Sequence, residues 1–177
     1  MKPALKKRAT RQPEGDDRGA VVVEFALILP FLVVLFVAII DLGLLIREHQ
    51  VVQNAAREGA RFSSLPQNFV DSTNPSATAD AIAARVSDYL TQEGITINAG
   101  GCTSSPDPND STKLQWTCGD VTIRQWYPIT MPGGIRAYGS EIKVTYNRSL
   151  LVPGAPFLSA GDVTLSGRSV FRNLYGQ

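Results

Sequence analysis

The residues with the clearest chemical consequence are Gly19 and Glu24, which stand five positions apart where a polar stretch gives way to a long apolar one. A carboxylate inside a lipid bilayer is strongly unfavourable unless it is paired or neutralised. The sequence therefore predicts a binding partner for Glu24, with a solvated position at the membrane surface as the alternative.

Two cysteines, Cys102 and Cys118, lie in a Pro/Ser/Asp-rich stretch far beyond the apolar segment. An even number of cysteines in a segment outside the cytosol predicts a disulfide. Two free thiols are the alternative. A zinc site is disfavoured, because the chain has one histidine, His49, and two thiolates supply too few ligands.

Other polar residues give little support for catalysis. His49 and its neighbour Glu48 lack a second acid or a nucleophile in any recognisable pattern, so His49 is read as a solvated helix residue. Asp107, Asn109 and Asp110 offer oxygen ligands, but their spacing lacks the glycine and terminal glutamate of a calcium-binding EF-hand loop. We expect no enzyme activity, no cofactor and no metal, and a calcium site in this loop is the minor alternative.

The element that must position Glu24 is the run from Ala20 to Ile46, 27 residues without lysine or arginine. About 20 apolar residues span the hydrocarbon of a bilayer, so residues 20–46 are predicted to be a transmembrane helix. A buried helix of a soluble protein and a cleaved signal peptide are disfavoured, since the run is too apolar for the first and too long for the second.

Charge is distributed unevenly around this helix. Residues 1–19 carry six basic and three acidic side chains, whereas residues 47–177 carry eleven of each. Basic residues stay on the cytoplasmic side of a membrane, so residues 1–19 are predicted to be a cytoplasmic leader and the rest to lie outside. The balanced charge of the larger part favours no nucleic-acid partner.

Helical periodicity continues beyond the membrane segment. Residues 47–62 are predicted to form an emerging amphipathic helix, whose apolar positions recur at helical spacing: Val51, Val52, Ala55, Ala56 and Ala60. Pro66 prevents much continuation. Pro30 should kink the membrane helix, and Asp41 is expected near its outer end, in contact with water or, as a second possibility, with a partner helix.

Residues 63–177 are predicted to be a periplasmic or extracellular α+β domain. Asn74-Pro75 predicts the start of a second helix and Gly94 its end. Four segments then alternate apolar and polar residues, which predicts strands of a small antiparallel sheet: Ile95–Ile97, Val121–Ile123, Ile142–Tyr146 and Val163–Leu165. The stretch from Gly100 to Gly119, between the first two, is predicted to be a loop.

Three motifs carry a resemblance to a known family. RGAVVVEFALILP begins at Arg18, Asp41-Leu-Gly43 follows, and AAREGAR runs from Ala55 to Arg61. Together they resemble TadE-like pseudopilins of the tight-adherence (Flp-type) pilus system, over about residues 18–62. A glycine followed by four residues and then Glu-Phe is also similar to the cleavage site of type IV pilin precursors.

The resemblance implies a pilin-like α+β fold and a specific processing step. A prepilin peptidase would cut between Gly19 and Ala20, where a glycine leaves the bond unobstructed and its backbone free to leave the helix. The new ammonium group of Ala20 would then pair with Glu24 of a neighbouring subunit, with Phe25 beside it. The implied partners are the peptidase, other pilin or pseudopilin subunits, the inner-membrane assembly platform and the lipid bilayer.

The function indicated is that of a minor pilin-like subunit in the assembly or export of a Tad-type pilus used in adhesion. The protein would lie in the bacterial inner membrane or enter a surface pilus. Two alternatives remain: a signal-anchored periplasmic binding or enzyme domain, and an unprocessed structural part of the assembly platform.

Overall fold

The computed structural model describes residues 17–68, 75–134, 136–150 and 162–173. The greater part of the predicted leader and the predicted cap Asn74 lie outside these residues. The chain divides into two compact units, Met1–Ile40 and Asp41–Gln177. The predicted α+β fold, with a long apolar N-terminal helix, a second helix and an antiparallel sheet, is confirmed.

Helix α1 runs from Asp17 to Ser63 and continues through Pro30. It begins three residues before Ala20, so that Gly19 lies inside the helix rather than ahead of it. Its end is held by Gln125, whose Nε2 donates to Ser63 Oγ at 3.0 Å and to the backbone oxygen of Asn68 at 2.8 Å. A short 3-10 helix, Pro66–Asn68, follows.

Helix α2 runs from Pro75 to Gln92 and ends as its sequence predicts. Gly94 has a φ of 81°, the left-handed conformation that glycine adopts most readily at a helix end. The amide of Ile95 donates to the carbonyl of Leu90 at 2.9 Å, and that of Gly94 to Thr91 at 3.1 Å. These two bonds are the paired contacts of a Schellman cap.

The predicted strand at Ile95–Ile97 is therefore wrong. Ile95 is 4% exposed and belongs to the hydrophobic core, but its amide completes the helix cap and its backbone joins no sheet ladder. The alternation of apolar residues indicates that one side of this segment is buried. A capped helix end buries one side just as a strand does, so the pattern does not distinguish the two.

Five strands form one antiparallel meander in the order β1-β2-β3-β4-β5. Their bounds are β1 Thr103–Asp107, β2 Asp110–Cys118, β3 Val121–Thr130, β4 Arg136–Ser149 and β5 Asp162–Arg172. The strands predicted at residues 121–123, 142–146 and 163–165 lie within β3, β4 and β5. The predicted loop from Gly100 to Gly119 is instead largely the β1–β2 hairpin, so that prediction is also wrong.

The core of the second unit joins the end of α1, helix α2 and one face of the sheet. All five apolar positions predicted for the emerging helix are buried, together with Ile82, Val86 and Leu90 of α2. The sheet contributes Trp116, Cys118, Val121, Ile123, Ile142 and Val144.

Close packing of α1 depends on two glycines. A Cβ atom at Gly167 of β5 would collide with the backbone oxygen of Val52, and a Cβ atom at Gly59 would lie 2.5 Å from Val86 Cγ2. Both distances are below those that real Cβ atoms show, so only glycine permits this approach.

Candidate functional site

The apolar part of α1 presents its side chains to the surroundings throughout the first unit. Within the described residues 19–40, every side chain except that of Val37 is exposed, and the most apolar stretch has none of its residues buried. Leu27 is 74% exposed and Phe31 69%. This helix is long and apolar enough to cross a membrane, and lipid is the solvent in which such a surface is stable.

The predicted processing residues lie in the first turns of this helix. Gly19 and Ala20 are exposed, and a Cβ atom at Gly19 would meet nothing within 4 Å. The bond between Gly19 and Ala20 lies within α1, two residues after Asp17, where the described part of that helix begins.

Glu24, Phe25 and Pro30 lie further along the same exposed segment. Phe25 is 59% exposed, and Glu24 and Pro30 are also exposed. Within the described residues Phe25 is thus largely uncovered, and the partner of Glu24 stays a prediction.

A buried charge cluster begins the second unit. Arg148, near the end of β4, reaches two carboxylates of α1: its Nη2 lies 2.9 Å from Asp41 Oδ1 and its Nε 3.1 Å from Glu48 Oε2. Its Nη1 also donates to the backbone oxygen of Asp41 at 3.2 Å. Asp41 and Glu48 are seven residues apart, two helical turns, so one planar guanidinium can serve both.

The position of Asp41 corrects the expectation that its carboxylate contacts water or a partner helix. The side chains of Asp41 and Arg148 are each 8% exposed. A buried carboxylate needs a cation, and Arg148 supplies it from a point 107 residues away in the chain. Nothing local in the sequence around Arg148 signals this role.

A second ionic network covers the other face of the sheet. Arg124 Nη1 lies 3.1 Å from Glu141 Oε2, and Arg124 Nε lies 3.6 Å from Asp107 Oδ2. Arg168 also pairs with Glu141. The bond to Glu141 raises the pKa of the Arg168 guanidinium. Asp107 Oδ1 accepts the amide of Asn109 at 2.7 Å. The loop considered as a calcium site thus directs both oxygens of Asp107 toward groups of the protein itself.

Cys102 and Cys118 form a disulfide with a Cα–Cα distance of 4.1 Å. It joins the start of β1 to the end of β2, and Cys118 is fully buried against α2. Asp80 lies beside the two sulfurs, and its Oδ1 accepts the amide of Cys102 at 3.3 Å. Sulfurs joined in a disulfide provide no thiolate, so this group of three residues is built as a structural link rather than as a metal centre.

Together these features define an α+β protein with an N-terminal helix suited to a membrane, followed in the chain by a disulfide-linked sheet domain. The segment from residue 19 to residue 61 matches the family model described as TadE-like protein. This segment is therefore TadE-like, as its motifs predicted. No curated protein and no solved structure matches the chain.

Proposed function

We propose that this protein is a pseudopilin-like, non-enzymatic subunit that takes part in assembling or exporting a Tad pilus. The observation that carries the proposal is the coincidence of three features in one segment. The family match starts at Gly19, Glu24 follows five residues later, and the helix that contains both exposes its apolar side chains.

In this proposal α1 holds the newly made subunit in the inner membrane and later packs against the helices of other subunits. A prepilin peptidase cuts between Gly19 and Ala20, and the disulfide-linked domain remains outside the helix bundle to contact partners. The exposure of Gly19 and Ala20, and the open space around a Cβ atom at Gly19, support this step.

The decisive experiment determines the N-terminus of the protein isolated from membranes. Mass spectrometry should find a chain that begins at Ala20, and the same chain should begin at Met1 in cells that lack the peptidase. The leader of 19 residues corresponds to about 2 kDa, a shift that immunoblots resolve. An unchanged N-terminus in both backgrounds would falsify the processing step and favour a signal-anchored domain or a platform component.

Gly19 offers a sharper version of this test. Gly19→Val should block cleavage because a branched side chain obstructs the peptidase. Gly43→Val is the matched control, since Gly43 lies in the same helix and a Cβ atom there also meets nothing within 4 Å. Equal processing of the two variants would contradict the assigned site.

Topology is the second part of the proposal. The basic surplus before Ala20 should keep the N-terminus in the cytoplasm. Alkaline phosphatase fused after residue 100 should then be active, and a fusion at residue 15 inactive. The opposite pattern would place both the cleavage site and the disulfide in the wrong compartment.

A further inference from the structure

A cleft opens where the two hairpins of the sheet separate. Strands β2 and β3 pair only over Trp116–Cys118 and Val121–Ile123, whereas β3 remains paired with β4 as far as Thr130. The cleft has a volume of about 380 Å³ and is lined by the β1–β2 turn on one side and by β3 and β4 on the other. Its size lies within the range of small-ligand sites, roughly 300–1,000 Å³.

The chemistry of the cleft is aromatic and negative. Trp126 and Tyr138 meet edge to face, with ring centroids 5.6 Å apart and planes at 76°. Asp110 is the one charged side chain among the described residues that line the cleft. The hydroxyl and amide of Thr112 both donate to Asp110 Oδ1, which lowers the pKa of that carboxyl and keeps it ionised at neutral pH. Ring faces are also regions of negative potential, so all three groups favour a cation.

A lysine of the protein contacts one of the residues that line the cleft. Lys113 Nζ lies 4.6 Å from the centroid of the Trp126 ring, and its charge contributes to the lowered pKa of Asp110. Lys113 extends from β2, where its long side chain is only partly buried. A flexible, strongly hydrated ammonium on such a side chain can be displaced by a second one.

We propose that this cleft binds a ligand that carries a primary alkylammonium group, which competes with Lys113 for the Trp126 ring and the charge of Asp110. A primary ammonium has three donors, and the cleft offers the Asp110 carboxylate together with polar atoms of Asn109 and Thr130 among its lining residues. The ammonium belongs to a lysine side chain of a partner polypeptide or to a small diamine. The cleft lies outside residues 19–61. The proposed ligand binding is therefore separate from the role of the TadE-like segment.

The test uses the full chain, labelled with 5-fluorotryptophan, in phosphatidylglycerol nanodiscs that contribute no ammonium headgroup. The chain has two tryptophans, and substitution of Trp126 by phenylalanine assigns their fluorine NMR signals. N-acetyl-lysine methylamide and 1,5-diaminopentane are titrated as the two ligand sources. N-acetyl-norleucine methylamide is the neutral control. At least one ammonium compound should shift the Trp126 signal saturably, while the signal of Trp116, 8% exposed, stays in place.

Lys113→Gln gives the discriminating measurement. It removes the resident competitor and should tighten ligand binding by roughly two- to fivefold, the factor expected for one exposed contact between a cation and an aromatic ring. Lys143→Gln, at an exposed lysine of β4, changes the net charge equally and should leave the affinity unchanged. Asp110→Asn should weaken binding. The proposal is overturned if no ammonium compound shifts the signal, if the neutral control shifts it equally, or if Lys113→Gln fails to tighten binding.

Discussion

Arg148 and Asp41 form the ion pair that joins the end of β4 to helix α1 at the residue where the second unit begins. Both side chains are almost fully removed from solvent, and the guanidinium also bonds the backbone oxygen of Asp41. The pair therefore fixes the sheet to the helix directly after the apolar segment.

Removing Arg148 should be strongly destabilising. Arg148→Met leaves Asp41 and Glu48 without their cation, and breaking a buried pair in this way costs about 3–5 kcal/mol in the free energy of unfolding. Urea unfolding of the full chain in detergent micelles, followed by tryptophan fluorescence, measures the loss. The double variant Asp41→Asn with Arg148→Met should lose less free energy of unfolding than Arg148→Met alone. In the double variant only the carboxylate of Glu48 is left without its cation, because that of Asp41 has been removed.

The matched control for that prediction is the exposed pair of Arg47 and Glu93. Arg47 Nη2 and Glu93 Oε2 are 3.7 Å apart, and the side chains of Arg47 and Glu93 are 63% and 42% exposed. Arg47→Gln should therefore change the free energy of unfolding by no more than about 1 kcal/mol. Similar losses for Arg47→Gln and Arg148→Met would contradict the role given to the buried pair.

Gly59 should not tolerate even a methyl group. Its Cβ would lie 2.5 Å from Val86 Cγ2, so Gly59→Ala forces α1 and α2 apart and should cost about 1–3 kcal/mol in the free energy of unfolding. Gly43→Ala is the control in the same helix, where a Cβ meets nothing within 4 Å. Combining Gly59→Ala with Val86→Ala should recover part of the loss by making room. If Gly59→Ala is as stable as Gly43→Ala, the close packing is not present in solution.

The disulfide should contribute measurably to stability. Closing a loop of about 15 residues is worth roughly 3 kcal/mol in the chain-entropy model. The double substitution of Cys102 and Cys118 by alanine should lower the free energy of unfolding by about this amount. Mass spectrometry without reduction should find the two peptides linked. Alkylation of both thiols in denatured, unreduced protein would show that the bond is absent.

The sequence predicted those parts of the fold that depend on local periodicity. The buried stripe of α1 and the cap at Gly94 follow from residues close together in the chain, and both were predicted correctly. The hairpin of β1 and β2 was missed because β1, Thr103–Asp107, is exposed at most positions and has no apolar alternation. Hydrogen bonds to a neighbouring strand and the disulfide hold it there instead of hydrophobic burial.

The candidate sites divide in the same way, into features that depend on local spacing and features that depend on residues far apart in the chain. Gly19 and Glu24 could be singled out because their significance depends on a spacing of five residues in one segment. The partner of Asp41 could not, because 107 residues separate it from Arg148. Trp126 and Tyr138 come together only through the pairing of β3 with β4, so no single-segment pattern indicated the cleft.

Glu24 provides a test of subunit pairing that is independent of the folded domain. If its carboxylate binds the Ala20 ammonium of a neighbouring subunit, Glu24→Gln should reduce association by about fivefold, the factor for roughly 1 kcal/mol between helices in a membrane. A cysteine in place of Leu29, which is 45% exposed, would report association through oxidative cross-linking in membranes. The native cysteines are already joined to each other and do not interfere.

The partner of Glu24 can be identified by combining this change with blocked processing. In Gly19→Val the ammonium of Ala20 is never formed, so Glu24→Gln should have little further effect on cross-linking. Glu24→Asp, which keeps the charge, should restore part of the association in the processed protein. Independent, additive effects of Gly19→Val and Glu24→Gln would mean that Glu24 pairs with some group other than the new N-terminus.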